Sequence, residues 1–246
     1  MKILAVVCYL VALAGAAALA GFVLVLGCGL FSPPTRLPEG FAWLADSAWL
    51  ATFAAQHSGM ARDRFKRWWA PVVPPRLERS VYAALSGLLL LALPFVWQPL
   101  PGGPWWGLPR VFVLVPLIAA AGLVLVNLRY DHAGLFGPRQ AWEEDRPAEE
   151  KLLVTGPYRY VRHPLMACLL ALLWAQPVMT PTLALLCGGL TGYIALGLML
   201  EERDLLRRFG KAYADYSRRV PALVPWRRPA PPATHPARLP CHPTKP

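Results

Sequence analysis

The chain has 246 residues, 56% of them hydrophobic and 16% charged, and its 25 Lys and Arg against 14 Asp and Glu leave a formal charge of +11. A soluble globule carries about 25% charged residues, so these figures exclude an ordinary water-soluble domain and point to an integral membrane protein in a lipid bilayer. In so apolar a chain the basic excess reads as loops that fix topology, and no nucleic-acid partner is expected.

Apolar stretches over residues 3–31, 41–56, 81–97 and 111–128 read as four spans. The first has a lone Lys2 before it, but its apolar run is too long for a secretory signal. A further apolar region, residues 164–200, has room for two crossings at about 20 residues each. Pro177, Thr180, Pro181 and Thr182 interrupt it and suit a tight turn. The expected fold is all-α: a polytopic protein of about six transmembrane helices, the last two a short hairpin, followed by a cytoplasmic amphipathic C-terminal helix.

Charge placement supports that count. With the N-terminus inside, Lys2, the segments 58–80 and 129–163, and everything after Leu200 place 23 of the 25 basic residues on the cytoplasmic side, leaving Arg36 and Arg110 outside. An odd number of spans breaks this separation, so both termini are expected in the cytoplasm. Three regions follow: a four-span region over residues 1–130, a cytoplasmic-face pocket with hairpin and amphipathic helix over 131–226, and a tail over 227–246. The tail's seven prolines in 20 residues suit disorder. The five cysteines show no paired spacing, and no metal site is expected.

Polar residues gather in two segments, 131–164 and 201–216, at the two ends of the hairpin. A chain that leaves at Pro164 and returns by Leu200 brings Arg162 and His163 beside Glu201 and Glu202. Pro164 suits the first position of a helix, where its missing N–H has no partner to lose. Arg162 and His163 then stand at a helix N-terminus, which favours an anion. Leu206, Phe209, Tyr213, Tyr216 and Val220 recur at helical spacing, an apolar stripe that either lies on the bilayer surface or closes over the hairpin mouth. The same Arg and His also fit snorkelling anchors, and the Glu pair fits an ordinary solvated helix end, so spacing alone leaves both readings open.

The motifs are more specific. Leu152-Leu153-Val154-Thr155-Gly156-Pro157-Tyr158, then Arg162-His163-Pro164, an apolar hairpin, Glu201-Glu202, and Phe209-Gly210 with Tyr213 and Tyr216 resemble the isoprenylcysteine carboxyl methyltransferase superfamily of integral membrane enzymes. Gln56-His57-Ser58, Met60-Ala61-Arg62, Glu78-Arg79-Ser80-Val81-Tyr82 and the 131–142 stretch with Asp131, His132, Arg139, Gln140 and Trp142 resemble its bacterial branch of methanethiol S-methyltransferases and NnrU-like proteins.

The resemblance implies methyl transfer from S-adenosyl-L-methionine to a small thiol, methanethiol giving dimethyl sulfide, in a bacterial inner membrane. It nominates Gln140, Leu152, Leu153, Val154, Gly156, Tyr158, Arg162, His163, Pro164, Met166, Glu201 and Glu202 for the cofactor. In the role that charge suggests, Arg162 holds the methionyl carboxylate, and Glu201 or Glu202 accepts from ribose hydroxyls or the amino group. His163 or a water is expected to take the thiol proton, so Arg162 and His163 are the catalytic candidates. Met166 stands where the family often has Tyr. Gly197 stands where the prenylcysteine enzymes place an Arg, a loss that argues against a carboxylate acceptor. The alternatives are another methyl acceptor, such as an isoprenoid cysteine or a lipid, or an NnrU-like accessory protein without catalysis. A transporter would want an ionised group within the membrane, for which Asp46 is the candidate.

Overall fold

A computed structural model describes residues 1–129 and 152–227. Gln140, the 131–142 motif and the tail beyond Arg227 lie outside the described residues. Helices α1 (Lys2–Gly27) and α4 (Pro75–Val96) cross at glycines. A Cβ on Gly15 would stand 2.3 Å from the Gly87 carbonyl oxygen, and one on Gly87 2.6 Å from that of Val11. Lipid is as apolar as a leucine side chain and supplies no hydrophobic force between helices, so small residues that bring backbones into van der Waals contact hold such a pair together.

Helix α2 (Glu39–Met60) follows α1, and a short α3 (Asp63–Trp69) stacks Phe65 on Trp69. A 3-10 turn (Arg110–Val113) leads into α5 (Leu114–Arg129), then come α6 (Pro164–Trp174), α7 (Pro181–Phe209) and α8 (Lys211–Arg219). Four of these are long and apolar enough to cross a membrane: α1, α4, the Arg110–Leu128 stretch and α7. They carry large apolar side chains outward, among them Ile3, Phe95 and Ile118. Of the six expected crossings these are four. Helix α2, with Glu39, Asp46 and His57, is less apolar, and α6 is an apolar helix of only 11 residues.

The main core joins Phe22, Val23 and Leu26 of α1 to Leu93 of α4, Leu172 and Leu173 of α6, and Leu183, Leu186 and Leu190 of α7. At the end opposite the Arg162 region the connections are stitched by hydrogen bonds. Trp97 Nε1 donates to the Thr182 carbonyl at 3.3 Å, and the Leu100 amide donates to Thr182 Oγ1 at 2.9 Å. An antiparallel ladder of two residues per strand pairs Trp106–Gly107 with Val178–Met179, a feature the all-α expectation did not include. Asp46, 1% exposed, accepts the Gln98 amide at 3.0 Å and thereby anchors this loop.

Only the first arm of the last hairpin is short. Thr180 caps α7, accepting from the Leu183 amide, and the helix then runs 29 residues through Glu201 and Glu202. No Pro or Gly intervenes after Gly197, and Leu, Glu and Arg are good helix formers, so nothing stops the helix at the membrane boundary. Gly210 stops it. Its φ of +51° with ψ of −125° suits glycine alone, and the chain turns there into α8. The expected amphipathic helix is therefore split between the end of α7 and α8. Its Tyr213, Tyr216 and Val220 are buried with Leu152, and Leu205, Phe209 and Val154 pack around them. The stripe closes over the chain ahead of α6, except that Leu206, expected on it, is exposed and Leu205 packs in its stead.

Candidate active site at one mouth of the bundle

The segment before α6 is fixed by its backbone. Gly156, with φ of +59°, opens a 3-10 turn (Gly156–Arg159), and the Tyr158 carbonyl accepts from Tyr216 Oη at 2.8 Å. The Arg162 amide donates to the Pro221 carbonyl at 2.9 Å and the His163 amide to that of Ala222 at 3.0 Å. The residues after α8 thus lie alongside the Arg-His pair, and Pro164 begins α6 just beyond His163.

The side chains converge on Glu202. Arg162 donates from Nε to Glu202 Oε1 at 2.8 Å and from Nη2 to Oε2 at 2.9 Å, a two-pronged pair. Its Nη1 donates to the carbonyls of Ser217 at 3.1 Å and Val220 at 2.7 Å. Four of the guanidinium's five N–H groups are thereby engaged within the protein. His163 Nε2 lies 2.6 Å from the same Glu202 Oε1, and Nδ1 lies 3.6 Å from Glu201 Oε2. Burial works against the charge of Arg162, yet the hydrogen bonds and charge of Glu202 outweigh it and raise the guanidinium pKa. Burial, reinforced by Glu202, also pushes the Tyr213 hydroxyl above its ordinary range.

Arg162, His163 and Glu202 line a cavity of about 320 Å³ with Leu198, Met199, Arg203 and Ala222. Glu201 lines a different cavity, of about 420 Å³. Successive helix residues point about 100° apart, which sends neighbouring carboxylates to different places. The other nominees divide. Leu152, Val154 and Tyr158 belong to the region packed under α8, Leu153 is exposed, and Pro164 is buried. Met166 packs against the main core.

The larger cavity gathers His57, Ser58, Arg62 and Tyr82, which the sequence offered only as marks of the family branch, with Tyr193, which it did not single out. His57 of α2, Tyr82 of α4 and Tyr193 of α7 line it, with Ser58, Arg62 and Arg208. His57 Nε2 lies 2.9 Å from Tyr82 Oη and Nδ1 lies 3.0 Å from Ser86 Oγ. Ser58 Oγ lies 3.1 Å from Tyr193 Oη, and Phe53 stacks on His57 at 5.4 Å. The signal was present in the sequence: Gln56, His57 and Ser58 are polar residues at the end of an apolar stretch, and Ser86 lies within one, placements that mark function more often than structure.

The Arg-His-Pro segment and the acidic pair that resemble the isoprenylcysteine carboxyl methyltransferase superfamily thus meet at one mouth of an apolar helical bundle, as expected of a membrane methyltransferase. The chain is 43% identical to methanethiol S-methyltransferase 2 of Bradyrhizobium diazoefficiens, over 78% of its own length and 76% of the relative's. It is 40% identical to methanethiol S-methyltransferase of Mycobacterium tuberculosis, over 77% of this chain and 80% of that one. Human nurim is more distant, 31% identical over 66% of this chain and 69% of nurim. No family model and no solved structure matches. The chain belongs to the methanethiol S-methyltransferase family: it is an integral membrane S-methyltransferase.

Proposed function

We propose that the protein transfers a methyl group from S-adenosyl-L-methionine to methanethiol, releasing dimethyl sulfide and S-adenosylhomocysteine. The observation that carries this reading is the 43% identity to a methanethiol S-methyltransferase over 78% of the chain. In this reading the chain crosses a bacterial inner membrane six times with both termini in the cytoplasm. Residues 1–130 form the four-span region, 131–226 the donor pocket with its hairpin, and 227–246 a tail.

The residues present fit such a donor. Glu201 is half exposed at its cavity and offers an acceptor-only carboxylate to an ammonium group, ribose hydroxyls or a sulfonium charge. Arg162, His163 and Glu202 line the neighbouring cavity, and with Gln140, Leu152, Leu153, Val154, Gly156, Tyr158, Pro164 and Met166 they make up the set the family motif nominates. Four of the five Arg162 N–H groups already have partners. Its chief task is therefore to position Glu202 and the 220–222 segment.

Bound there, the donor supplies an electrophilic methyl on a positively charged sulfur. The protein's part is to align acceptor and methyl and to exclude water, which together contribute several kcal/mol. Apolar acceptor access through the bilayer suits a volatile thiol.

The test has two arms. Cells expressing the protein and fed methanethiol are expected to release dimethyl sulfide, measured by headspace gas chromatography. Detergent-solubilised protein is expected to bind S-adenosylmethionine by calorimetry. Absence of both moves the reading to an accessory membrane protein.

A further inference from the structure

Resting on the proposed thiol methylation, we infer that the cavity between α2, α4 and α7 is the acceptor site and that His57, through Tyr82, is the base that ionises the thiol.

The hydrogen-bond inventory sets the tautomer of His57. Ser86 Oγ faces two acceptors that cannot donate, Gln56 Oε1 at 3.1 Å and the Tyr82 carbonyl at 3.0 Å, so the single hydroxyl hydrogen is committed to them. Ser86 therefore accepts from His57 Nδ1–H at 3.0 Å. That leaves the lone pair on Nε2, which accepts from Tyr82 Oη–H at 2.9 Å. This assignment comes from the network as a whole. Tyr82 Oη keeps its own lone pairs for a third partner, and both rings line the cavity.

His163 lines the other cavity, but both of its ring nitrogens face carboxylates. Its nitrogens face Glu202 at 2.6 Å and Glu201 at 3.6 Å, and its side chain is 5% exposed. The proton expected on His163 or a water is better received on His57, in the cavity that Glu201 also lines.

The step balances as follows. The thiol proton passes to Tyr82 Oη while the Tyr82 proton moves to His57 Nε2, giving a thiolate, a neutral tyrosine and an imidazolium. The thiolate electron pair forms the new S–CH3 bond as the methyl–sulfur bond of the sulfonium donor breaks, its electron pair staying on the departing thioether. His57 then returns its proton to water. Charged groups face this ring from each neighbouring element. Glu201 and Asp204 of α7 favour the imidazolium, whereas Arg62 beyond α2 and Arg208 of α7 disfavour it and favour the thiolate. From α4 and α7, Tyr82 and Tyr193 are the titratable neighbours, and Arg79 of α4 adds a positive charge that acts on Tyr82. The aromatic walls also suit a small apolar thiol.

The test compares two acceptors in His57→Gln and Tyr82→Phe, each checked for S-adenosylmethionine binding by calorimetry. With methanethiol, His57→Gln is expected to lose on the order of 10²-fold in kcat and the limb of its pH profile that reports the base. With 4-nitrothiophenol, which arrives ionised at neutral pH, the loss is expected to stay below about tenfold, with donor binding kept. Tyr82→Phe, which keeps the ring and the packing, is expected to show the same acceptor-dependent loss. Equal losses with both acceptors, or an unchanged kcat and pH profile with methanethiol, overturn the assignment of the base. Failure of the wild-type protein to bind S-adenosylmethionine or to methylate either thiol instead overturns the underlying reading.

Discussion

Glu202 takes two N–H groups of Arg162, at 2.8 and 2.9 Å, across 40 positions of sequence, and the same carboxylate lies 2.6 Å from His163. One side chain of α7 therefore locks the entry to α6. The pair is part-buried, so it is more than a surface ion pair and its loss leaves polar groups without partners.

Arg162→Lys is expected to destabilise the protein by about 1.5–3 kcal/mol, because an ammonium cannot reproduce a planar fork on one carboxylate and two carbonyls. Thermal unfolding in detergent measures this. A double-mutant cycle with Glu202→Gln is expected to show strong coupling, and additive losses count against the shared role.

Glu201→Gln is expected to weaken S-adenosylmethionine binding by about tenfold, near 1.4 kcal/mol, with a smaller rise in the KM for methanethiol because the carboxylate also lines the acceptor cavity. Calorimetry for the donor and initial rates for the acceptor separate the two. Equal effects on both contradict the assignment of Glu201 to the donor.

Gly210→Ala is expected to cost about 1–3 kcal/mol, since its backbone conformation is barred to residues with a Cβ. The damage should be local. Hydrogen exchange is expected to rise in α8 and in residues 158–163, which Tyr216 and the 220–222 segment hold in place, and to stay unchanged in α1 and α4.

Gly87→Ala is expected to destabilise the α1 and α4 pair by about 1–3 kcal/mol, because the new methyl meets backbone at 2.6 Å rather than a flexible side chain. Unfolding temperature measures it, and an unchanged value contradicts the close crossing.

Tyr213 gives a pH dependence. Its hydroxyl pKa is raised in the folded state, so the folded protein retains a proton that the unfolded chain releases near the ordinary value of 10.0. That contribution is present in full below pH 10.0 and is lost as pH climbs from there toward the folded-state value. Tyr213→Phe is expected to flatten the alkaline decline in unfolding temperature relative to its own neutral value, and an unaltered slope contradicts the account.

Much of this protein's helical layout was legible in its sequence, because hydrophobic length is a local property that a bilayer reads directly. The apolar runs became helices, Pro164 and Pro181 began two of them, and the Arg-His-Pro and Glu-Glu motifs pointed to the family. Where α7 ends was not legible from hydropathy, since the helix continues past the apolar run until Gly210 breaks it. Partnership was decided by tertiary structure alone. Arg162, placed by charge opposite a ligand carboxylate, gives most of its N–H groups to Glu202 and two carbonyls, because folding α8 over this corner brings unsatisfied acceptors to the nearest strong donor. His57, Tyr82 and Tyr193 come from three helices that lie far apart in the chain, and only their packing turns three scattered polar residues into one cavity wall.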